Sequence, residues 1–355
     1  MNVQKHVLVS VVVACRNEIR HIQRFLNSLV RQDLWGIPTE VIIADGMSDD
    51  GTRSVLDNFQ PNVFRLRIID NPGRSASSGL NCAIRHATGD VIIRMDAHTE
   101  YAFEYVRRCV QVLLQTNADN VGGPVRTRAE GYLAKAIALA YQSRFASGGA
   151  KTRDTSFEGP VSGVTYGCWR KSTLQRVGCF DETLYRCQDD ELNRRILAGG
   201  GTIWQSPRIV SWYYPRASLA SLFHQYFQYG FWKARVTRKH RQLAFRRHAI
   251  PAICAGLFLL LMFGAGIATI CGLHRGQRYL LSAIALVCGG YVLAAIAAAS
   301  LVARKAGWRY VAVLPGVFAL QHVPYGFGFL LGMVCDPTKS ARSSLLHDHL
   351  TVVTR

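Results

Sequence analysis

The stretch "VIIRMDAHTEY" covers residues 91–101 and joins an apolar run to three polar residues at every second position, Asp96, His98 and Glu100. A continuous apolar run of this length is typical of a buried strand in a parallel sheet. If the chain stays extended after residue 96, alternation sends all three polar side chains to the same side. Carboxylate oxygens and an imidazole nitrogen at that spacing can bind a divalent metal, but ordinary loop residues have the same composition. The rest of the sequence has to distinguish the two.

Similar apolar runs recur with helical stretches between them. The predicted strands are 9–15 ("VSVVVAC"), 39–45 ("TEVIIAD"), 64–70 ("FRLRIID") and 90–96 ("DVIIRMD"), and helical stretches include 18–32 and 77–88. This alternation predicts an α/β fold whose mostly parallel sheet carries helices on both faces. Ligands on such sheets bind beyond the carboxyl ends of the strands, so the polar residues that follow these strands should converge on one crevice.

The composition narrows the class of partner. The 355 residues include 42 Lys and Arg against 23 Asp and Glu, a formal charge of +19, which suggests nucleic acid, an anionic membrane or phosphorylated ligands. Seven of the basic residues fall within 233–247, beside apolar segments, which favours a membrane over nucleic acid. The ten cysteines form no CxxC pair, so we expect reduced thiols and no zinc module. The N-terminus is interpreted as a first strand and not as a signal peptide.

The C-terminal part of the chain contains three segments without Asp, Glu, Lys or Arg: 249–272, 279–302 and 311–334. Each exceeds the roughly 20 residues needed to span a bilayer. The third contains Gln321, His322 and Pro324, so both a crossing helix and a re-entrant segment remain open. We therefore predict a catalytic domain over 1–215, an amphipathic interfacial segment and basic linker over 216–248, a transmembrane region over 249–336 and a tail over 337–355. The basic flank predicts that the catalytic domain is cytoplasmic.

Four motifs occur in order along the first domain: "VVVACRNE" (11–18), "ADGMSDDGT" (44–52), "NPGRSASSGLNCAIRHATGDVIIRMDAHTE" (71–100) and "VGCFDETLYRCQDDELNRRILAGG" (177–200). Together they resemble the family 2 glycosyltransferases, whose nucleotide-sugar-binding domain has the fold called GT-A. Among these, "MDAHTE" and "RCQDDELN", with three C-terminal spans, look most like bacterial exopolysaccharide glucosyltransferases of the succinoglycan type.

The resemblance implies roles for the residues at the strand ends. Residues expected to bind the nucleotide sugar are Arg16, Asn17, Glu18, Asp45, Asp49, Arg74 and Asp96. A carboxylate at Asp45 can accept a hydrogen bond from uracil N3–H, although a turn aspartate has the same signature. Arg74, in a Gly- and Ser-rich loop, supplies positive charge to a diphosphate.

The metal site follows from the same resemblance. Asp96 resembles the first acid of the family's Asp-x-Asp motif, and His98 stands where the second acid is usual. Glu100 resembles a third ligand of some polyprenyl-phosphate relatives. We therefore predict a divalent cation, Mn²⁺ or Mg²⁺, held by Asp96, His98 and Glu100, and the imidazole favours Mn²⁺.

The segment "QDDEL" (188–192) resembles the place of the family's general base. Asp189 aligns with that base and Asp190 is its competitor, while a helix N-cap is the structural alternative for either. In "QYGFWK", the residues Gln228, Trp232 and Lys233 loosely resemble the Gln-x-x-Arg-Trp signature of processive synthases, and we assign them to the acceptor side.

These predictions combine into an inverting, multi-pass glycosyltransferase of a bacterial inner membrane. Its expected partners are a UDP-sugar donor, with glucose from UDP-glucose as the predicted sugar, a polyprenyl-diphosphate-linked acceptor and membrane lipids, with no nucleic acid. A processive polysaccharide synthase is the alternative among enzymes, but three spans are few for a channel. A non-catalytic membrane scaffold with the same fold is the alternative of another class, and it predicts UDP binding without turnover. A dehydrogenase is disfavoured because no GxGxxG follows the first strand.

Overall fold

The computed structural model describes residues 7–216, 218–241, 246–335 and 350 of the chain. The chain divides into two units, one formed by Met1–Arg128 and Ala150–Tyr214, the other by Ala129–Gly149 and Pro215–Arg355. The chain therefore leaves the first unit, returns to it and leaves it again.

The first unit is built on a mixed sheet with helices between the strands. In chain order its elements are β1 (Val9–Cys15), α1 (Ile22–Val30), β2 (Thr39–Asp45), α2 (Thr52–Asp57), β3 (Arg65–Asp70), α3 (Ala76–His86), β4 (Val91–Asp96), β5 (Thr99–Tyr101), α4 (Tyr105–Thr116), β6 (Asn120–Gly122) and β7 (Arg126–Thr127). After the excursion into the second unit, which contains α5 (Tyr132–Gln142) and α6 (Arg144–Ser147), they are β8 (Gly159–Pro160), β9 (Cys168–Arg170), α7 (Lys171–Val177), α8 (Gln188–Ala198), β10 (Ile203–Gln205) and β11 (Ser211–Tyr213).

The larger sheet has the strand order β3-β2-β1-β4-β9-β6-β10-β8. The first four strands are parallel, whereas β9 runs antiparallel to both of its neighbours. The four strands predicted from the sequence are these parallel strands, with β3 and β4 each beginning one residue later than predicted. The predicted α/β fold with a mostly parallel sheet is confirmed.

Helices cover both faces of this sheet because alternate strand residues point to opposite sides. Val11 and Val13 of β1 belong to one buried cluster with Phe25 of α1 and Val110 of α4. Val12 belongs to another, together with residues of α3 and α8. The face that carries α8 is also the face of the even-numbered residues of β4, which brings the first turn of α8 close to the end of that strand.

The parallel strands end at one edge, as the sequence predicts. Cys15 pairs with Asp45, Asp45 pairs with Asp70, and Ala14 pairs with Asp96. The polar residues that follow β1, β2 and β4 therefore lie at the same edge of the sheet.

The chain does not stay extended from Asp96 to Glu100, so the condition for a common orientation of the three side chains is not fulfilled. Ala97 and His98 form a turn, and β5 belongs to a separate three-stranded sheet of order β5-β11-β7. Glu100 lies opposite Trp212 in this second sheet. The turn breaks the two-residue alternation on which the common orientation of the three side chains depends.

The second unit is helical. Besides α5 and α6 it contains α9 (Leu219–His240), α10 (Arg246–Ile270), α11 (His274–Ala306) and α12 (Leu314–Val334). Its largest described core cluster joins α5 to the C-terminal helices. The stretch 129–149, which the sequence-based division placed in the catalytic domain, belongs to this unit because Ala136, Ile137 and Ala140 pack with residues such as Ala299 and Phe318.

Three described helices are long and apolar enough to span a membrane: α10, α11 and α12. They coincide with the three charge-free segments of the sequence. The predicted interfacial segment is the long helix α9, whereas the predicted tail, 337–355, lies outside the described residues apart from Leu350.

Candidate active site

The loop after β1 and the loop after β2 are joined by paired hydrogen bonds. The Asn17 amide nitrogen donates to an Asp49 carboxylate oxygen at 2.9 Å, and the Asp49 backbone N–H donates to the Asn17 side-chain oxygen at 3.0 Å. The Glu18 backbone N–H donates to the Thr52 hydroxyl at 2.8 Å. In this structure Asn17 and Asp49 therefore hold the two loops together, and both remain exposed at the edge of the sheet.

Asp45 is buried at the end of β2. Its carboxylate accepts hydrogen bonds from the Ser48 hydroxyl at 2.5 Å and the Ser48 backbone N–H at 3.2 Å, and Arg53 lies 3.7 Å away. The strand thus delivers the acid, and the following turn supplies its hydrogen-bond donors. An incoming uracil N3–H would have to share the Asp45 carboxylate with these donors or displace them.

Two arginines of the predicted nucleotide-sugar site are exposed at the same edge. The Arg16 side chain lies against Gly46, where an added Cβ would come within 3.0 Å of it. Arg74 has a left-handed backbone (φ 53°) just before α3, whose first turn is closed by a reciprocal cap between Ser75 and Ser78. Both cations are accessible to an anionic ligand.

The centre of the candidate site is Arg94, a residue that we did not predict. Its guanidinium is buried and binds both oxygens of Asp96, with Nε–Oδ1 at 2.9 Å and Nη2–Oδ2 at 3.1 Å. Its Nη1 also donates to Oδ1 of Asp189, 95 residues along the chain. Because positions 94 and 96 share one face of β4, and α8 covers that face, one arginine connects the strand end to the helix.

The two acids respond differently to this shared partner. Burial alone would raise the pKa of Asp96, but the charge of Arg94, the nearby His98 and the Arg94 hydrogen bonds lower it below its ordinary value. Burial raises the pKa of Asp189 to about 7. The charge of Arg94 opposes this shift, whereas the charges of Asp96 and Asp190 reinforce it. A single guanidinium does not compensate both carboxylates fully, and the carboxylate whose pKa is raised towards neutrality is that of Asp189.

Asp190 and Glu191 follow Asp189 in the first turn of α8, where acids are stabilised by the helix dipole. Asp190 interacts with Arg194. Glu191 is buried and binds Arg195 at 2.7 Å, and Arg195 in turn donates to the backbone carbonyls of 177–179. This second arrangement stabilises the fold around α8 and does not involve Arg94.

The three predicted metal ligands are not brought together. Glu100 accepts hydrogen bonds from Arg128 at 2.5 Å and from the Tyr214 hydroxyl at 2.6 Å, on the three-stranded sheet. Across the described ranges, no group of three or more His, Cys, Asp or Glu side chains could hold a metal ion. The prediction of a three-residue cluster is therefore not met in this structure, because the turn at 97–98 directs Glu100 to other partners.

His98 remains near the strand end. Its Nδ1 lies 3.5 Å from a carboxylate oxygen of the buried Glu18. Ligating imidazoles commonly direct their other ring nitrogen towards a carboxylate, which fixes the ring orientation. Glu18 is thus placed to orient His98, whereas the sequence had suggested direct contact with the nucleotide sugar.

The predicted acceptor-side residues lie on α9, in the second unit. Gln228 and Trp232 are buried there, and the Trp232 indole N–H donates to the Leu350 carbonyl at 3.1 Å. Lys233 is half-buried. Gln228 and Trp232 pack inside the helical unit, and their assignment to the acceptor stays a prediction.

Arg94 could have been found from the sequence. It is the one charged residue inside the apolar run 91–95, and it stands two positions before Asp96. An arginine inside a buried strand needs an anionic partner, and strand alternation points it to the same face as that acid. The pairing with Asp189 has no such local signal.

Comparison with known proteins gives a consistent assignment. The model of the family described as "Glycosyl transferase family 2" matches residues 10–170. The succinoglycan biosynthesis protein ExoA of Rhizobium meliloti (strain 1021) is 34% identical over 262 residues, which cover 73% of this chain and 78% of that protein.

Two further proteins extend the similarity. A dolichyl N-acetyl-alpha-D-glucosaminyl phosphate 3-beta-D-2,3-diacetamido-2,3-dideoxy-beta-D-glucuronosyltransferase from Methanococcus voltae is 26% identical over 244 residues, covering 65% of this chain and 74% of that protein. The mannosyltransferase PcManGT from Pyrobaculum calidifontis, solved with GDP-Man and Mn²⁺, has a TM-score of 0.56 at 19% identity, covering 92% of this chain and 87% of that chain. At that identity the likeness concerns the GT-A-like fold alone. With the fold, the order of the motifs and the match to a relative over most of its length, the chain belongs to glycosyltransferase family 2 and is a glycosyltransferase.

Proposed function

We propose that this enzyme transfers a sugar, glucose from UDP-glucose, with inversion onto a polyprenyl-diphosphate-linked saccharide during exopolysaccharide synthesis. The observation that carries the proposal is the single guanidinium of Arg94 that contacts both Asp96 and Asp189. Donor-side and acceptor-side chemistry have to meet within a few ångströms, and this pair of acids supplies one group for each.

Inversion takes one displacement at the anomeric carbon. The acceptor hydroxyl oxygen forms the new bond to that carbon, its proton passes to the Asp189 carboxylate, and the bond from the carbon to the diphosphate oxygen breaks to release UDP. A base is most effective when its pKa lies near the working pH, and burial brings the pKa of Asp189 to about 7. We assign Asp190 a supporting role, since its interaction is with Arg194.

Arg94 is a positioning residue in this scheme. It fixes one oxygen of Asp189 and both oxygens of Asp96, and its own position is set by β4, whose neighbours lie on both sides in the sheet. A base held by a buried ion pair keeps its orientation without paying rotamer entropy when the acceptor arrives.

The residues present fit a divalent cation with two protein ligands. Asp96 offers a hard carboxylate, and His98 offers an imidazole whose Nδ1 faces Glu18. Mg²⁺ and similar ions are commonly held by one or two protein groups plus substrate phosphates, so a third protein ligand is not required. When bound, Mn²⁺ or Mg²⁺ would neutralise charge on the departing diphosphate. We therefore retain Asp96 and His98 as the proposed ligands and leave Glu100 to its contacts with Arg128 and Tyr214.

The donor side is proposed to use the remaining residues at the sheet edge. Asp45 would accept from the base, and the exposed Arg16 and Arg74 would face the diphosphate. Asn17, Glu18 and Asp49 would act indirectly, by holding the loops and His98 through the contacts described above.

The acceptor class is supported by the relatives. The R. meliloti protein is described as a succinoglycan biosynthesis protein, and the M. voltae enzyme is named for a dolichyl-phosphate-linked saccharide. Helices apolar enough to span a membrane suit an acceptor with a polyprenyl tail. We place the enzyme in a bacterial cell membrane with its catalytic unit on the cytoplasmic side, the side of the basic run 233–247.

The test is to incubate membranes containing the enzyme with a panel of radiolabelled nucleotide sugars and Mn²⁺, and then to extract the lipids. Membranes containing Asp189→Asn at equal expression are the matched control. We expect label in the lipid phase from UDP-glucose, and little from the control. Label that enters the lipid phase equally in both membranes would reject the assigned chemistry. Label from another donor alone would replace the proposed sugar.

A further inference from the structure

The helices of the second unit form two pairs with different packing. In the α9–α12 pair the backbones touch, because a Cβ built on Gly328 would lie 2.1 Å from the Phe227 carbonyl oxygen, and one on Gly332 would lie 2.4 Å from that of Phe231. Both contacts join residues 101 positions apart, so the two helices run parallel and in register. Small residues at such positions allow helices to approach this closely. The pair therefore shares one position relative to the membrane.

α9 is unsuited to crossing a bilayer. Its last two turns contain Lys233, Arg235, Arg238 and Lys239. The Arg238 guanidinium reaches the last turn of α12, with Nη1 3.4 Å from the Gly332 carbonyl oxygen and 3.3 Å from that of Cys335. A charge in the bilayer core is costly, and several charges on one helix add to that cost. The C-terminal end of α12 thus lies beside charges that belong in water or among lipid headgroups.

The α10–α11 pair has the opposite character. A Cβ built on Gly264 of α10 would contact the Leu280 side chain of α11 at 3.4 Å. The two helices therefore run antiparallel and are joined by the loop at 271–273. Their outward side chains are uncovered: Phe263 is 70% exposed and Leu286 78% exposed. Two charge-free faces of this length fit the acyl chains of a bilayer.

Among the described residues, α12 packs against the part of this hairpin that contains the start of α10 and the end of α11. A Cβ built on Gly326 would lie 2.4 Å from the Pro251 carbonyl oxygen, and one on Gly256 would lie 4.0 Å from the Leu330 side chain. From Ala249, the start of its charge-free run, to Ile270, α10 extends for about 32 Å at 1.5 Å per residue, and about 21 Å of that length lies beyond Gly256. Along that outer part a Cβ built on Gly266 would meet no atom of the described residues within 4 Å.

The three apolar helices also differ in burial and composition. Inside the described structure, 44% of the most apolar window of α12 is buried, against 17% for α10 and 6% for α11. The mean hydropathy of that window is 1.4 for α12 and 2.3 for each of the others. A helix that is less apolar and largely covered by protein exposes less apolar surface that lipid would have to cover.

We propose that only the α10–α11 hairpin crosses the bilayer, and that α12 lies with α9 at the membrane surface from which α10 enters. The partner of the α9–α12 pair is the headgroup region of that leaflet. The topology then has two spans, and Cys335 and the tail return to the side of the basic run 233–247. Like the re-entrant alternative for 311–334, this inference returns the chain to the side from which it came, but it places α12 at the membrane surface.

The chain offers its own reporters for the test. Cys271 follows α10 at the tip of the hairpin and is exposed, whereas Cys335 follows α12. Spheroplasts of a bacterial host expressing the full chain are treated with a membrane-impermeant maleimide, and labelled peptides are identified by mass spectrometry. Cys271→Ser and Cys335→Ser are the matched variants.

We expect external label at Cys271, loss of that label in Cys271→Ser and no change in Cys335→Ser. External label on Cys335 in intact spheroplasts would establish a third crossing and overturn the proposal. Absence of external label on Cys271, with label appearing after lysis, would show that the hairpin does not cross.

A fusion after Arg355 guards against a Cys335 that is shielded on both sides. We expect a C-terminal green fluorescent protein to fluoresce and a C-terminal alkaline phosphatase to be inactive, as for a cytoplasmic tail. An active phosphatase with a dark fluorescent protein would reject the two-span topology. Neither readout depends on sugar transfer, so failure here is distinct from failure of the proposed function.

Discussion

Asp96 and Glu100 are four residues apart, and each forms an ion pair with an arginine. The two pairs differ in how far they are exposed to solvent. The Arg94 side chain is 6% exposed and that of Asp96 17%, whereas the Arg128 side chain is 44% exposed and that of Glu100 26%. Coulomb attraction is screened in water and strong inside a protein, so similar distances correspond to different energies. The difference supports our proposal that the pair at the sheet edge serves the reaction, whereas the pair on the small sheet joins its strands.

The two arginines also differ in the number of acids that they bind. Arg94 contacts a second acid, Asp189, so neutralising or removing any of the three groups alters the other two. Arg128 contacts Glu100 and stacks over Trp212, with its guanidinium carbon 3.8 Å from the ring centroid. That arrangement ends at the surface, where water can replace any missing partner.

The largest difference in sugar transfer and in Mn²⁺ binding is expected between Asp96→Asn and Glu100→Gln. Asp96→Asn should abolish transfer and weaken Mn²⁺ binding measured directly by electron paramagnetic resonance, because it removes the proposed ligand. Glu100→Gln should leave both within about threefold, since an exposed ion pair contributes little. Equal loss of Mn²⁺ binding in the two variants would restore Glu100 to the metal site.

His98→Ala provides an intermediate case on the same readout. It should raise the Mn²⁺ concentration needed for half-maximal transfer and leave acceptor affinity near normal. Full activity of the unaltered enzyme in excess chelator would reject the cation assignment and return His98 to the turn.

The base is tested by Asp189→Asn, with the adjacent Asp190→Asn as its control. Loss of a positioned general base costs about 10² to 10⁴ in rate, so single-turnover transfer should fall at least about a hundredfold in Asp189→Asn. UDP affinity should stay near normal, and Asp190→Asn should lose much less. An essential Asp190 with a dispensable Asp189 would shift the base by one residue.

The arginines form the third pair of variants. Arg94→Met leaves two buried acids without their partner, which should lower the free energy of unfolding by about 3–5 kcal/mol. Arg128→Met should lower it by about 0–1 kcal/mol, because its ion pair is largely solvated. Urea unfolding of the purified proteins in detergent gives the comparison.

Arg94→Lys separates charge from geometry. Lysine keeps the charge but loses the fork that binds two carboxylates, so stability should recover more than the turnover number does. Equal recovery of stability and turnover would mean that Arg94 supplies charge alone and does not orient Asp189.

The smallest effect is expected in the pH profile. A base works in its ionised form, and the pKa of Asp189 is raised to about 7 by burial, so activity is present above that pH and lost below it. The value of kcat/KM should fall about tenfold for each pH unit below 7, and Asp189→Asn should lose this limb. A limb that persists unchanged in Asp189→Asn would belong to another group.

The sequence determined the local elements. The parallel strands appear within one residue of their predicted bounds because each is an apolar run long enough to be read by itself. The charge-free segments near the C-terminus are helices for the same reason. Asp45, Asp96 and the polar residues after β1 were predicted at one sheet edge because parallel strands all end there.

Tertiary structure decided how those elements use their polar groups. The turn at 97–98 separated Glu100 from Asp96, and the second sheet supplied Arg128 and Tyr214 as its partners. The helices at 132–147 joined the C-terminal unit because their apolar face packs there, although they lie between strands of the catalytic unit.

The pairing of Arg94 with Asp189 shows why the remainder could not be predicted. Alternation along β4 places Arg94 beside Asp96, since that relation spans two residues. The relation to Asp189 spans 95 residues and depends on which helix covers that face of the sheet. Local sequence specifies periodicity and charge, whereas a buried charge finds its partner only when distant elements pack together, because burial is what makes that partner necessary.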